Sequence, residues 1–362
     1  MSEKIIKIED LGWNDFFESN RIKLVLEVFQ IARVIGQLRG SYRVKNGQGE
    51  YLAKITGKQM FEAVYKEDYP AVGDWVAISK LEDGKALIEK ILPRKTIMQR
   101  KYSNKNETQI IATNIDVAFV IESVDRDYNL NRIERYFAMA SDGGVELAII
   151  LNKIDLIFEE ELSLKLDQIK NRFRNINVFA TSTLTDNGLD ELKNYIAKGK
   201  TYCFLGSSGV GKSSLINSLL GESKIETGEI SSHSGRGKHI TTAREMHFSK
   251  QGGIIIDNPG VREVGMTDAN TGVDNLFDEI TSLSKECKFV NCTHIHEPGC
   301  AVLLALETGE IDKNRYTNYI NLKKETQHYG MNKLEKKEKD RQFGKFIKQA
   351  KADFKKYTHK DY

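Results

Sequence analysis

The sequence predicts a multidomain α/β protein. It reads as an N-terminal OB-like β-barrel, a parallel doubly wound P-loop domain with its motifs in permuted order, and a C-terminal zinc-binding helical module. Three observations carry this reading. Glycine-punctuated β segments fill residues 31–92, strands and helices alternate from about Asn114, and three of the four cysteines crowd into residues 287–300. The chain's 362 residues suggest two or three domains, and 40% hydrophobic with 29% charged residues fits folded cores rather than disorder.

The barrel is read from short β-branched and aromatic runs: Ile31–Ile35, Ser41–Val44, Glu50–Ile55, Phe61–Tyr65, Asp74–Ile78 and Ala86–Ile91. Glycines 36, 40, 47, 49, 57, 73 and 84 punctuate them. Five or six such strands make a small barrel, of which the OB-fold is the commonest nucleic-acid binder; an SH3-like barrel reads almost the same way. The boundaries expected are an extension over 1–30, the barrel over 31–95, a nucleotide-binding domain over 96–280 and the metal-binding, basic helical part over 281–362.

In the central domain the expected strands are 116–123, 146–152, 176–182, 201–206 and 252–258. Between them lie helices at 131–141, 159–174, 189–197 and 212–220. Residues 206–213 read GSSGVGKS, a full phosphate-loop match between an apolar strand and a helix. Backbone N–H groups from Gly206 through Ser214 (Ser207, Ser208, Gly209, Val210, Gly211) would wrap phosphates. Lys212 would sit on the β- and γ-phosphates, and Ser213 would ligate Mg²⁺.

Guanine is indicated by NKID, Asn152–Lys153–Ile154–Asp155, at the end of a strand. Asp155 can accept from guanine N1–H and its 2-amino group, donors that adenine lacks in that arrangement. Asn152 would brace the loops and Lys153 would cover the base. Ala180–Thr181–Ser182 ends the next strand, where the guanine carbonyl is met. DNPG (257–260) supplies Asp257 for Mg²⁺, through water, and the Gly260 N–H for the γ-phosphate. Thr241 and Thr242 are both candidates to close over Mg²⁺. The order NKID, ATS, P-loop, TT, DNPG is permuted relative to ordinary GTPases, and it places both switch regions just before the Cys/His segment.

Val261 stands where many GTPases place a water-orienting Gln, so intrinsic hydrolysis should be slow. His239 is the nearest group able to take that role; the alternatives are a histidine that caps a loop or contacts RNA. Cys287, Cys292 and Cys300, with His294 or His296, give a closed Zn²⁺ donor set, hence a structural metal. Cys203 reads as a core residue.

The net charge of +3 hides a pattern. Residues 31–101 carry net +6 and 313–362 net +9, around a centre (102–312) of net −10. Basic flanks suit a polyanion; a solvated lysine-rich surface is the other reading. Residues 331–362 place Phe343, Phe346, Ile347, Ala350 and Phe354 at helical spacing in a basic segment. No apolar run reaches membrane-helix length. The first fifteen residues carry Glu3, Lys4, Glu9, Asp10 and Asp15 with no signal-peptide core, so a cytoplasmic location and no membrane partner are expected. Nothing calls for more than a monomer.

With NKID, GSSGVGKSS, GRGKHITT, DNPGVRE and the Cys/His spacing together, nearly the whole chain resembles the ribosome small-subunit-dependent GTPase A (RsgA) family. The resemblance implies Mg²⁺-dependent hydrolysis of GTP to GDP, stimulated by the 30S subunit, and binding to 16S rRNA near the decoding region during late subunit assembly. It also favours His294 over His296 as zinc ligand. The family's switch has three threonines after the histidine; here Ile240 replaces the first. The competing class is an RNA-binding module holding GTP without turning it over.

Overall fold

The structure, a computed structural model, describes residues 6–101, 108–125, 128–221, 244–257, 270–330 and 341. In chain order, α1 (Asp15–Lys23) precedes β1 (Gln30–Leu38), β2 (Ser41–Asn46), β3 (Gly49–Ile55), α2 (Gly57–Glu62), β4 (Trp75–Lys80) and β5 (Lys85–Ile91). A hairpin of β6 (Ile97–Lys101) and β7 (Thr108–Thr113) follows. Then come β8 (Val117–Ser123), α3 (Leu130–Asp142), β9 (Glu146–Asn152), α4 (Glu159–Arg172), β10 (Asn177–Thr181), α5 (Leu189–Tyr195), β11 (Thr201–Gly206) and α6 (Lys212–Leu220). The rest is β12 (Glu245–Phe248), β13 (Ile254–Asp257), α7 (Asn270–Leu276), α8 (Asp278–Ser284), α9 (Ala301–Glu307) and α10 (Lys313–Gly330).

The first five strands close a barrel in the order β1-β2-β3-β5-β4-β1, with β3 and β5 parallel and the other pairs antiparallel. With a helix between β3 and β4, this is OB-like, which decides between the two barrels the sequence left open. Residues 61–65 form no strand. Thr56 caps α2 by accepting from the Gln59 N–H, and that helix takes up Phe61 before a strand begins. Strand β2 alternates inward and outward, and Ala32, Val34, Val44, Ala53, Val76, Ile78, Ala86 and Ile88 fill the barrel.

The nucleotide-binding region is built on β10-β9-β8-β11-β13, all parallel, with β12 antiparallel next to β13. Strand β8 is buried throughout, as expected of a sheet covered on both faces. Ala118, Val120, Leu151, Cys203 and Leu205 face one core; Phe119, Ile121, Ile150, Tyr202 and Phe204 face the other. Cys203 is fully buried, as read from sequence.

Gly36 of β1 pairs with Glu245 of β12, so barrel and parallel sheet are continuous. A buried polar seal completes the junction. Arg33, 1% exposed, donates to the carbonyls of Leu11 (2.5 Å), Gly73 (3.3 Å) and Asn114 (3.0 Å). These belong to the N-terminal residues, the barrel and the entry to β8. Burial lowers the Arg33 pKa to about 10, against the pull of Asp116 and Asp74. Asp74 accepts from Arg94 (2.7 Å) and Thr113 (2.6 Å). Gly73 is at φ +102°, and a Cβ there would lie 2.0 Å from the Thr113 carbonyl oxygen, so the approach of the two parts requires glycine. The N-terminal residues pack Leu11, Phe17 and Leu26 against Trp75, Ala77 and Leu92 of the barrel.

Arg33→Met should cost about 3 kcal/mol in urea unfolding, because it strands buried carbonyls on three segments. Arg33→Lys should recover only part, since one ammonium lacks the guanidinium fork. Wild-type stability in Arg33→Met would show that the seal contributes nothing.

Candidate nucleotide site and metal centre

Among the described residues, the NKID, ATS and phosphate loops follow the carboxyl ends of the parallel strands β9, β10 and β11, where ligands of such sheets bind. Strand β11 runs into Gly206, and α6 begins at Lys212 behind Gly211, which offers no capping side chain to the helix's first N–H groups. Those N–H groups and the positive helix terminus suit an anion. The Lys212 ammonium donates to the carbonyls of Gly206 (2.7 Å) and Ser207 (2.5 Å), inside the loop it belongs to. Val210 is fully buried and anchors the loop to the core below.

The NKID loop meets this cradle directly. Asn152, fully buried, donates through Nδ2 to the Val210 carbonyl at 2.8 Å and accepts through Oδ1 from Thr181 Oγ1 at 3.0 Å. One carboxamide thus joins three loops. Gly211 lies at φ +98°, and a Cβ on it would come within 2.3 Å of Asn152 Nδ2, so the contact excludes a larger residue. Ser182 Oγ donates to Asp155 Oδ1 at 2.5 Å and accepts the N–H groups of Leu184 and Thr185. The hydroxyl fixes one carboxylate oxygen of Asp155 and the turn after it. Lys153 takes a left-handed backbone (φ +62°), and its ammonium lies 3.0 Å from Asp125 Oδ2. Asp125 was not singled out from sequence; an acid two residues past the end of β8 was its one signal.

Asp257 ends β13 beside the phosphate loop, opposite Glu245 on β12. Burial raises its pKa; Lys212 opposes this and Glu245 adds to it. A carboxylate held this way gains from a divalent cation, which suits Mg²⁺. Ser213, the other magnesium candidate, lies in the first turn of α6. His239, Thr241, Thr242 and Gly260 lie outside the described residues, as does the basic segment 331–362 apart from Arg341.

The cysteine segment folds into one cluster. The ligand atoms of Cys287, Cys292, His294 and Cys300 lie within 4.8 Å of one another. Cys287 Sγ is 3.8 Å from Cys300 Sγ, and His294 Nδ1 is 3.5 and 3.4 Å from those two sulfurs. Tetrahedral zinc with ordinary bond lengths needs S···S of about 3.8 Å and S···N of about 3.6 Å, so the donor set fits one structural Zn²⁺. His294 rather than His296 is the histidine in the cluster. Burial lowers the His294 pKa, against Glu297, which keeps the imidazole in its neutral, ligating form.

The cluster is seated on the nucleotide-binding region by α10. Tyr316 Oη donates to the His294 carbonyl at 2.6 Å. One residue earlier, Arg315 reaches Glu134 of α3 (3.0 Å) and the Leu276 carbonyl of α7 (2.9 Å). Glu134 is fully buried and also accepts from Arg172 of α4 and Asn318 of α10. No helix among the described residues is long and apolar enough to cross a membrane.

Protein prepared without chelator should contain one zinc per chain, and Cys292→Ala should lose it and unfold α9 at lower temperature; zinc-free wild type would defeat the assignment. Asp257 gives a signed pH effect. A raised native pKa stabilises the fold below the unfolded value of roughly 4 and loses that contribution as pH rises. Asp257→Asn should therefore raise the melting temperature of the nucleotide-free protein at pH 7, with the difference vanishing in acid. A variant less stable than wild type at pH 7 would contradict this.

A family model described as RsgA GTPase matches residues 91–267. A second, described as ABC transporter, matches residues 189–359; that span includes the phosphate loop, a motif that many nucleotide-binding families share, and omits NKID. A curated relative from Lactiplantibacillus plantarum, small ribosomal subunit biogenesis GTPase RsgA 2, is 41% identical over 91% of this chain and 93% of its own. RsgA 1 of Bacteroides thetaiotaomicron is 36% identical over 97% and 98%. Among solved structures, YjeQ from Thermotoga maritima matches with a TM-score of 0.61 and 26% identity, over 84% of this chain and 99% of that one. YloQ, a circularly permuted GTPase, matches at 0.58 and 23% identity, over 84% and 97%, and speaks for the fold alone. On this breadth of identity, joined to the permuted order of its nucleotide loops, the chain belongs to the RsgA GTPase family.

Proposed function

We propose that this protein hydrolyses GTP to GDP and phosphate while bound to the 30S ribosomal subunit, and acts in the late assembly of that subunit. The observation that carries the reading is the Asn152 carboxamide. It ties a loop bearing a guanine-type carboxylate to a phosphate cradle. Asp155, oriented by Ser182, reads N1–H and the 2-amino group of guanine. Lys153 and Ile154 line the base side together with Thr181 and Ser182. The N–H groups of 206–214 and Lys212 hold the phosphates, and Ser213 and Asp257 hold Mg²⁺. Bound Mg²⁺ supplies charge neutralisation at the β- and γ-phosphates; the protein's own part is to orient the nucleotide and keep its phosphates among N–H donors.

The switch residues complete the proposal. Thr241 or Thr242 and the Gly260 N–H close over the γ-phosphate, and His239 orients the attacking water in place of a glutamine. The barrel (31–95) and the C-terminal part (281–362) bind 16S rRNA, in keeping with their positive charge and with the ribosomal role in the relatives' names. A cytoplasmic site of action follows from that partner.

GTP and ATP turnover measured with and without purified 30S subunits, at two salt concentrations, tests the reading. The expected result is slow intrinsic GTP hydrolysis that rises with 30S subunits and falls with salt, and negligible ATP turnover. His239→Ala should keep GTP binding and lose the stimulation; unchanged stimulation would remove His239 from the mechanism. Intact 30S binding without stimulated phosphate release would favour a module for which GTP is a regulatory ligand that is never turned over.

A further inference from the structure

Asp125 belongs to neither the phosphate loop nor NKID, yet it touches the base side of the site. Its Oδ2 lies 3.0 Å from the Lys153 ammonium, and its Oδ1 accepts from Ser123 Oγ at 2.5 Å. The sheet delivers the acid there. Ser123 of β8 is in register with Asn152 of β9, and the Val124 N–H bonds the Asn152 carbonyl at 3.1 Å. Two constraints therefore hold the lysine: a left-handed backbone at one end of its side chain and a carboxylate at the other.

Stability does not account for the pair. Both side chains are partly exposed, 24% and 31%, and such pairs add little to folding. Its value lies in order. A lysine loses more rotamer freedom on immobilisation than almost any other side chain, and a tether settles that loss before a ligand arrives.

We propose that Asp125 is a positioning residue for the nucleotide base: by anchoring the Lys153 ammonium, it lays the lysine's methylene stem as one wall of the guanine slot. This rests on the guanine-nucleotide reading above. Asp125 itself touches neither phosphate nor magnesium in this scheme, so its removal should be felt by ligands that carry a base and ignored by those that do not.

The test uses the full chain and its Asp125→Ala and Asp125→Asn variants. Affinities for GDP and GTP are measured by displacement of a fluorescent guanine nucleotide, and that for magnesium tripolyphosphate by competition. In Asp125→Ala, GDP and GTP should weaken equally, by about tenfold. Tripolyphosphate should bind as before, and turnover should show a raised KM at constant kcat. Asp125→Asn, which keeps an acceptor, should recover part of the loss. Wild-type GDP affinity in Asp125→Ala overturns the proposal, as does an equal loss for tripolyphosphate, which would mean that the whole site had loosened. A wild-type protein with no preference for guanine over adenine nucleotides would instead defeat the underlying functional reading, an outcome seen before any variant is made.

Discussion

The buried carboxamide of Asn152 is the constraint on which the nucleotide site rests. The chain makes the base-side loop first and the phosphate loop 58 residues later, so no local geometry can set one against the other. Tertiary structure does so through a single side chain, whose amide nitrogen and oxygen are each spent on a different loop. Parallel register makes this possible. Ser123, Asn152 and Thr181 sit side by side at the ends of β8, β9 and β10, so their following loops emerge at one height. In that dry setting an unpaired amide is costly, and the satisfied one is correspondingly selective for a single arrangement.

Two further seals decide how the outer parts sit on that sheet, and both use buried charge. On one side Arg33 spans three chain segments through carbonyls and is backed by Asp74 with Arg94. On the other, Glu134 gathers two arginines and an asparagine from α4 and α10. Such groups are poor sources of net stability compared with apolar packing, but removing one partner leaves a buried charge incompletely compensated. They therefore favour a single docking geometry. On α10, residues 315–318 touch both Glu134 and the peptide of His294, so the metal cluster and the nucleotide-binding sheet are braced by one short stretch of helix. Helix α7, the first described element after Asp257, is pinned in the same place. Thr326 donates to Asn270, Lys323 pairs with Asp274, and Arg315 bonds the Leu276 carbonyl.

Much of this was legible in the amino-acid order. Apolar runs such as DVAFVIES and ELAIILN are unambiguous because a strand buried on both faces cannot tolerate polar alternation. The phosphate loop is legible because its glycines and lysine answer to a ligand rather than to neighbours. The zinc donor set is legible because thiolates close in sequence rarely serve another purpose in a reducing setting. The errors fall where local signals tie. Residues 61–65 look β-forming, but a Thr56 cap commits the preceding segment to a helix. Strand β12 escaped notice because four residues carry almost no periodicity. Its identity comes from the partner strands, β13 and β1. The β6–β7 hairpin was hidden in the same way.

By itself, the sequence determined the three kinds of structure, the permuted order of the loop motifs and the metal's donor chemistry, and it marked the carboxylate proposed to read guanine. Each is written in short-range patterns of residue type and spacing. Only the tertiary structure decided that the barrel is continuous with the parallel sheet and that Asp125 reaches Lys153, and it gave geometry to the OB-like barrel and to the His294 ligand that the sequence and its resemblance had favoured. Those choices depend on which segments distant in the chain come to share a strand edge or a buried charge, and long-range pairing leaves no trace in local composition.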